Sequence, residues 1–296
     1  MERSLDIMKV NKRLGLVVVI LCLTLLPLMA SGVAEATKQK MLAANSNESL
    51  LQKSDSILSV HESDYNNFFI YRTKDFRGHT NDGMYYEGYL NGRFYCYYGV
   101  YFAAMPCYDM GFNPLEDNIV FNEVLTSYET ATEMKINGNQ ILLKTLVAPD
   151  KVQETLECFG LEYVEGDCIS NSYVLDAESL LLQECTTIIS RADGTVVSRA
   201  KQTLTLDAEK PEIIEEIYNR LTAENQQEVT IVLDPGTEIE ETFTGFFIEG
   251  EDIDVYLPGG YMYLYTDAAC TDLYGEGENS GIVTVNRAGT LYSKHE

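Results

Sequence analysis

The sequence predicts a mostly-β α+β protein: a curved antiparallel open barrel or meander with covering helices, followed by a small β-grasp-like or all-β module. Three observations favour this fold class. Asparagine–glycine pairs separate short runs of strand-forming residues, which is typical of two-residue hairpins. Apolar residues at helical spacing occur only in short segments. Residues 228–296 contain strand-like runs with 14 acidic and only two basic residues, which indicates a separate module.

The first 36 residues are predicted to be a targeting segment. Basic residues precede the apolar run Leu14–Ala30, and Ala34-Glu35-Ala36 gives the small-x-small pattern that signal peptidase reads. We expect cleavage after Ala36. The alternative is an uncleaved membrane anchor, but the apolar run is near the lower length limit for a bilayer and contains Pro27. Export predicts an extracellular bacterial protein, either secreted or at the cell surface.

A flexible leader and a helix are predicted next. Residues 37–48 are small and polar, as expected of a mobile segment. A capping-box pattern then precedes an apolar stripe that includes Leu50, Ile57 and Leu58 at helical spacing. We therefore expect a helix from Leu50 to His61.

Turn and cap signals place the remaining elements. Gly78 is interpreted as a turn position, and Asn91-Gly92 and Asn137-Gly138 each predict a hairpin turn. Asp150 caps a short helix, and Glu209–Ala223 has the clearest helical stripe. Strands are predicted over Tyr85–Leu90, Arg93–Phe102, Glu129–Ile136, Gln140–Val147, Tyr173–Leu175, Leu180–Ser190 and Val196–Leu206. The predicted domains are a signal peptide (1–36), a leader (37–48), an antiparallel β domain with helices (49–207), a helix and linker (208–227) and a small acidic β-rich module (228–296).

The charge of the chain excludes two classes of partner. Its formal net charge is −25 at pH 7. Nonspecific nucleic-acid binding needs basic residues that neutralise phosphates, and docking on an anionic membrane surface needs a basic patch. We expect no nucleic-acid partner, and a membrane association only through an uncleaved signal segment.

The cysteines leave two alternatives open. Six remain after cleavage, and an even number in an exported chain permits disulfides. Cys96 with Cys107, and Cys158 with Cys168, are close enough in sequence to pair locally. The alternative is free, buried thiols. No C-x-x-C spacing occurs, so the sequence gives no support for zinc or thioredoxin-type chemistry.

The sequence offers little support for catalysis. It has three histidines and lacks the H-E-x-x-H, G-x-S-x-G, P-loop and G-x-G-x-x-G motifs. We therefore expect no enzyme activity, no cofactor and no metal. His61 is interpreted as a partly buried core or cap residue. Asp252 and Asp254 share a strand face that could bind calcium, although solvated charge is the favoured interpretation. A hydrolase with an unrecognised carboxylate pair is the weakest alternative.

The stretch Gly92–Phe112 concentrates aromatic rings, which make up eight of its 21 residues. As a strand it would place one apolar set on one face: Phe94, Cys96, Tyr98, Val100 and Phe102. The other face would carry a tyrosine set: Tyr95, Tyr97 and Tyr101. The apolar set could fill an ordinary core or line a cavity for an apolar ligand.

The run SNSYVLDAESLLLQECTTIISRADGTVVSRAKQTLTLD (170–207), with the helix predicted before it, resembles the LolA/LppX-like carrier superfamily. The resemblance covers roughly residues 49–207. It implies an open, strongly curved antiparallel sheet, helices against its concave face, and an apolar cavity between them for lipid or acyl chains. The chain departs from many secreted members because it lacks a lipobox and carries an acidic surface and an added C-terminal module.

The C-terminal segment resembles the Listeria–Bacteroides repeat module of bacterial surface proteins. The residues that carry this resemblance are VTIVLDPGT, LYTDAACTDLYG and VTVNRAGTLYSK, within about residues 229–294. The tryptophan that usually precedes the YTD motif is replaced by Leu264. The resemblance implies a compact β-grasp-like unit that serves as a spacer or an interaction module.

These observations together predict an exported, noncatalytic protein that binds or carries a hydrophobic ligand, such as a lipid or an acyl chain. The expected cavity wall is Phe94, Tyr98, Val100, Phe102 and Leu204, and the expected covering helix contributes Leu50, Ile57 and Leu58. The alternative is a bacterial surface interaction or adhesion module that contacts a protein or a glycan through the tyrosine set. A cavity of several hundred cubic ångströms favours the first hypothesis.

Overall fold

A computed structural model describes residues 32–64, 67–81, 85–97, 105–106, 115–116, 118–121, 126–158, 160–257, 260–277 and 281–295. Their contacts form two compact units. The first unit contains the described residues up to Ser49 together with Val120–Leu204, and the second contains Leu50–Ile119 and the chain from Thr205 onward. Within the described part of the chain, the helices are too short or too polar to cross a bilayer. The predicted domain division and signal cleavage stay predictions.

The helices are α1 (32–44), α2 (Asn47–Leu51), α3 (Pro149–Cys158) and α4 (Glu212–Thr222). The strands of the N-terminal two thirds are β1 (Ile57–Ser63), β2 (Phe68–Arg72), β3 (Phe76–Asn81), β4 (Tyr85–Leu90), β5 (Arg93–Tyr97), β6 (Met105–Pro106), β7 (Glu129–Asn137), β8 (Gln140–Val147), β9 (Cys168–Asp176), β10 (Leu182–Ser190) and β11 (Val196–Leu206). The C-terminal strands are β12 (Gln226–Leu233), β13 (Glu241–Ile248), β14 (Ile253–Tyr256), β15 (Tyr263–Tyr265), β16 (Leu273–Glu276), β17 (Ile282–Val285) and β18 (Gly289–Ser293).

The first unit is built on an antiparallel meander. Strands β7 to β11 pair with their sequence neighbours, and the turn at Asn137-Gly138 joins β7 to β8 as predicted. Gly138 has a φ of 58°, a left-handed conformation that glycine adopts at little cost. Helix α3 buries Val152 and Leu156 against this sheet, in a cluster with Ile169 and Ile189.

The predicted flexible leader (37–48) is helical over most of its length, because it forms the later part of α1 and the first two residues of α2. Polar side chains anchor α1 to its own unit. Lys38 is 2% exposed, and its Nζ donates to the Glu129 carbonyl oxygen. Asn45 is fully buried and bonds the backbone beside β10. These contacts come from residues far along the chain, so local polarity suggested mobility where tertiary bonding orders the segment.

The second unit contains a six-stranded antiparallel meander, β1 to β6. The helix predicted from Leu50 to His61 is wrong, because α2 ends at Leu51 and β1 begins at Ile57. Alternating burial along β1 shows the period of a strand, and its backbone pairs with β2. The Asn91-Gly92 turn joins β4 to β5 as predicted, with positive φ at both residues, as a type I′ hairpin turn requires.

Helix α4 packs against β3 and β4 through two glycines. A Cβ built on Gly78 would lie 2.8 Å from Ile214 Cγ2, and one built on Gly88 would clash with Ile217. Gly78 lies within β3 and not in a turn, so its interpretation as a turn position is wrong. The absent side chains let the helix axis approach the sheet, and Ile214, Ile217 and Leu221 are buried there.

The C-terminal strands form an all-β module within the second unit. Strand order is β13-β12-β18-β15-β16 in one sheet, with β12 and β18 parallel, and β14 pairs with β17. Their buried cluster includes Val229, Phe247, Leu264 and Leu291. Between residues 226 and 295, the described segments contain no helix, so the all-β alternative holds for them. The predicted mostly-β α+β class is confirmed.

Candidate functional site

The pairing of β1 to β5 gives their sheet two chemically different faces. On one, the helix face, Leu58, Tyr71, Gly78, Gly88 and Tyr95 form a row beneath α4. On the other, the polar face, cross-strand partners form a row from Ser59 through Ile70, His79 and Glu87 to Cys96. Directly paired residues of neighbouring strands point to the same side.

A pocket of about 560 Å³ lies where α4 begins beside β1 to β4. We refer to it as the α4 pocket. Five apolar or aromatic side chains form most of its wall: Val60, Phe68, Phe69, Tyr86 and Ile213. Four polar side chains complete it: His61, Glu62, Asn67 and Thr80. Its volume lies within the range of small-molecule sites, and a mainly apolar wall with few polar groups is typical of them.

The wall of the α4 pocket follows from strand register. Val60 pairs with Phe69, Phe69 with Thr80, and Thr80 with Tyr86, so one row crosses four strands. Ile213, in the first turn of α4, covers this row from the helix side and packs against the same cluster as Phe69 and Tyr86. All four apolar members of this group are only half-buried, which leaves apolar surface for a ligand.

Thr80 gives the pocket a hydrogen-bonding group with an unusual environment. Its side chain is 3% exposed, and Oγ1 has no hydrogen-bond partner within the described part of the chain. Burying a hydroxyl without a partner costs free energy, about 1–3 kcal/mol by mutational measures. A ligand with one polar atom at this point would remove that cost.

His61 is neutral at physiological pH. Burial lowers its pKa to about 4, and the nearby His79 lowers it further in the same direction. Its ring stacks on Phe68 with centroids 4.2 Å apart, and Nε2 lies 3.0 Å from Ser59 Oγ. The ring therefore acts as an aromatic wall element, in agreement with its interpretation as a partly buried residue.

The polar face carries a network centred on Glu87. His79 Nδ1 lies 3.2 Å from Glu87 Oε1, and the Tyr85 hydroxyl donates to Oε2. Burial alone would raise the pKa of Glu87, but hydrogen bonds from His79 and Tyr85 and the charge of Arg77 lower it overall. Burial also raises the pKa of the Cys96 thiol, so this cysteine is not an activated nucleophile.

The structure disperses the predicted ligand residues. Phe94 is half-buried on the polar face, while Leu50 and Ile57 are buried and belong to α2 and β1 instead of one covering helix. Leu58 packs against the buried cluster that contains Ile214, Ile217 and Leu221 of α4, which we call the α4 cluster. Leu204 belongs to the first unit. Three of the predicted wall residues lie outside the described part of the chain: Tyr98, Val100 and Phe102. The predicted residues that the structure does describe are not among those that line the α4 pocket.

Two other sequence predictions are changed. Tyr95 is 7% exposed and lies in the α4 cluster, so it is not part of an exposed tyrosine patch. The side chain of Tyr97, and all of Tyr101, lie outside the description. Cys96 and Cys168 are free cysteines in the structure; Cys96 is buried, as the free-thiol alternative expects, whereas Cys168 is exposed. Their predicted partners, Cys107 and the side chain of Cys158, lie outside the description.

The α4 pocket was missed because β1 was taken for a helix. The signal that could have found it is the period-two alternation of ILSVHES next to the aromatic run FFIYR. As a hairpin these two runs would have placed Val60 beside Phe69. Among the described residues, groups of three or more histidine, cysteine and acidic side chains that could hold a metal ion do not occur.

The fold and the site together define a class of protein: a mostly-β protein with an apolar pocket beside one helix. Two solved structures are similar to the chain at low identity. One is the crystal structure of MucB in complex with MucA(peri), with 12% identity, a TM-score of 0.31, and coverage of 84% of this chain and 92% of that one. The other is the complex structure of Pseudomonas aeruginosa MucA/MucB, with 11% identity, a TM-score of 0.32, and coverage of 85% and 91%.

Likeness at these TM-scores is too low to assign a function. No protein-family model matches the chain, and no curated protein matches it. The resemblance to LolA/LppX-like carriers and the resemblance of the C-terminal segment to a surface repeat therefore stay predictions.

Proposed function

We propose that this protein is an exported, noncatalytic binding protein that holds a hydrophobic ligand, such as an acyl chain, in the α4 pocket. The observation that carries the proposal is the pocket itself: about 560 Å³, with half-buried apolar side chains from three strands and one helix. Each methylene that leaves water contributes about 0.8 kcal/mol, so a short apolar chain would supply useful affinity.

The polar groups of the pocket suit binding better than catalysis. A serine–histidine pair is present, but Ser59 is fully buried and is not among the residues that line the pocket. His61 is neutral, and it titrates about 3 pH units below neutrality, well away from the value that suits a general base at pH 7. Thr80 Oγ1 is a neutral group that would orient a ligand by one hydrogen bond.

The first test is titration of the secreted protein with a neutral naphthylamine fluorophore, whose emission rises in apolar surroundings. We expect saturable binding at one site. Val60→Arg places a charge in the wall, and Ile213→Trp fills the pocket without one, so each should weaken binding at least tenfold, about 1.4 kcal/mol. The control is Ile239→Arg, because Ile239 is 67% exposed and lies away from the pocket.

Circular dichroism melting should show that all three variants fold. Loss of binding in Val60→Arg and Ile213→Trp, with retention in the control, would support the proposal. The proposal would be contradicted if the wild type did not bind the fluorophore, or if both pocket variants bound it as tightly as the wild type does. Native mass spectrometry of protein that has not been delipidated would then give the mass of any natural ligand.

A further inference from the structure

Two largely buried arginines with unused hydrogen-bond donors lie on the polar face, at the end of the strands opposite to the α4 pocket. Arg72 is the last residue of β2, and Arg77 is its direct partner on β3. Their row continues to Tyr89 and Phe94 on β4 and β5. We refer to Arg72 and Arg77 as the arginine pair.

Arg72 is the more deeply buried member, at 4% exposure. Its Nη2 donates to the Leu115 carbonyl oxygen over 2.7 Å. Its Nε and Nη1 have no hydrogen-bond partner in the described part of the chain. Burial, with repulsion from Arg77, lowers the pKa of Arg72, and the nearby Asp75 raises it only in part. Guanidinium groups keep their charge in proteins, so this is a buried cation with two unused donor nitrogens.

Arg77 adds a second cation and a third unused nitrogen. Its side chain is 14% exposed, and its Nε also lacks a partner among the described residues. Its Nη1 lies 3.5 Å from Glu87 Oε1. That carboxylate is already shared with His79 and with the Tyr85 hydroxyl. Glu87 thus faces Arg77, and the acid that acts on Arg72 is Asp75, which lies in an exposed turn.

This arrangement is costly without an anion. Removing a cation from water costs several kcal/mol unless an opposite charge and hydrogen bonds replace the lost hydration. Glu87 and Asp75 offset the two charges, but they leave Arg72 Nε and Nη1 and Arg77 Nε without acceptors among the described residues. Two guanidinium groups with unused N–H donors are the arrangement that proteins use for carboxylate and phosphate oxygens.

We propose that the arginine pair binds an oxyanion, either a phosphate or a carboxylate group. The oxygens would accept from Arg72 Nε and Nη1 and from Arg77 Nε. The apolar neighbours in the same row, Ile57 and Phe94, suit an anion that carries an apolar group. This site is distinct from the α4 pocket, and it does not depend on ligand binding there.

The test is isothermal titration with three probes: inorganic phosphate, hexyl phosphate and hexanol, all at matched ionic strength. We expect phosphate or hexyl phosphate to bind with one-to-one stoichiometry. Arg72→Met and Arg77→Met should each weaken that binding at least tenfold, because one of two guanidinium groups is lost. Arg199→Met is the control, because Arg199 is exposed and belongs to the first unit.

The probes separate the sources of the anion. Equal affinity for phosphate and hexyl phosphate indicates a free oxyanion, whereas tighter binding of hexyl phosphate with no binding of hexanol indicates an amphiphile headgroup; both support the proposal. If the methionine variants fail to fold, the wild type still decides: hexyl phosphate, at a concentration too low to act by exclusion from the protein surface, should raise its melting temperature, and hexanol at the same concentration should not. The proposal would be overturned if the wild type bound neither phosphate nor hexyl phosphate, or if both arginine variants bound them as tightly as the wild type does.

This experiment also separates the two sites. Arg72→Met should leave binding of the neutral fluorophore unchanged, and Val60→Arg should leave phosphate binding unchanged. If the wild type binds the fluorophore but not phosphate, only the oxyanion proposal is contradicted. If it binds phosphate but not the fluorophore, only the proposed function of the α4 pocket is contradicted.

Discussion

The buried imidazole of His61 makes stability depend on pH. In the unfolded chain a histidine titrates near pH 6.5, whereas burial and His79 lower the pKa of His61 to about 4 in the folded state. Between these values the unfolded state binds a proton that the folded state does not. The stabilisation is therefore present above pH 6.5 and is lost as the pH falls towards 4, by up to about 3 kcal/mol.

Urea unfolding at several pH values between 7.5 and 4 measures this effect. Carboxylates also contribute in this range, so the useful quantity is the difference between the wild type and His61→Gln. We expect the variant to lose less stability on acidification, whereas the matched substitution His295→Gln, at an exposed position, should leave the profile unchanged. Identical profiles for the wild type and His61→Gln would contradict the assigned environment of His61.

At the scale of elements, the amide side chain of Asn45, directly after α1, holds this helix to its unit together with Lys38. Asn45 Nδ2 donates to the Leu180 carbonyl oxygen over 2.9 Å, and its Oδ1 accepts from Leu182 N–H over 2.8 Å. Asn45→Ala would leave the buried Leu182 N–H without a partner, at about 1–3 kcal/mol, and would also remove the bond to the partly buried Leu180 carbonyl oxygen. We expect a clear loss in the free energy of unfolding and faster amide exchange in α1.

Chemical denaturation with hydrogen-exchange mass spectrometry would measure both effects. The control is Asn139→Ala, because Asn139 is exposed and its hydrogen bond to Asp176 is also exposed. It should cost less than about 1 kcal/mol. If Asn45→Ala were as mild as this control, α1 would not depend on the amide anchor.

The elements that sequence predicted well are those defined by local chemistry. The hairpins at Asn91-Gly92 and Asn137-Gly138 need residues that adopt positive φ, and this requirement is visible in two letters of sequence. Strand β11 was predicted from Val196 to Leu206, as observed, because an aspartate–glycine turn precedes it and its residues alternate.

The elements that sequence missed depend on distant partners. Leu50, Ile57 and Leu58 fit a helical stripe by spacing, but β1 forms because β2 pairs with it from Phe68 onward. The α4 pocket needs four strands in register and a helix that begins about 130 residues further on, at Glu212. No local pattern contains that information, so the predicted ligand residues that the structure describes do not line the observed pocket.

At the scale of the whole molecule, net charge opposes folding. A formal charge of −25 over 296 residues means that compaction brings many like charges together. The ion pairs on the surface, such as Lys151 with Glu154 and Lys201 with Glu184, are exposed and contribute little in compensation. Screening should therefore stabilise the folded state more by reducing repulsion than it destabilises it by weakening these pairs.

We expect the melting temperature to rise when sodium chloride increases from about 10 mM to about 150 mM, because the screening length falls from about 30 Å to about 8 Å. Calorimetry at constant pH would measure it, and sucrose at equal osmolality is the control for excluded-solute effects. A fall in melting temperature would show that local ion pairs dominate. Phosphate also stabilises folded proteins by exclusion from their surface, so only the part of its effect that Arg72→Met loses, while the chloride response persists, belongs to the arginine pair.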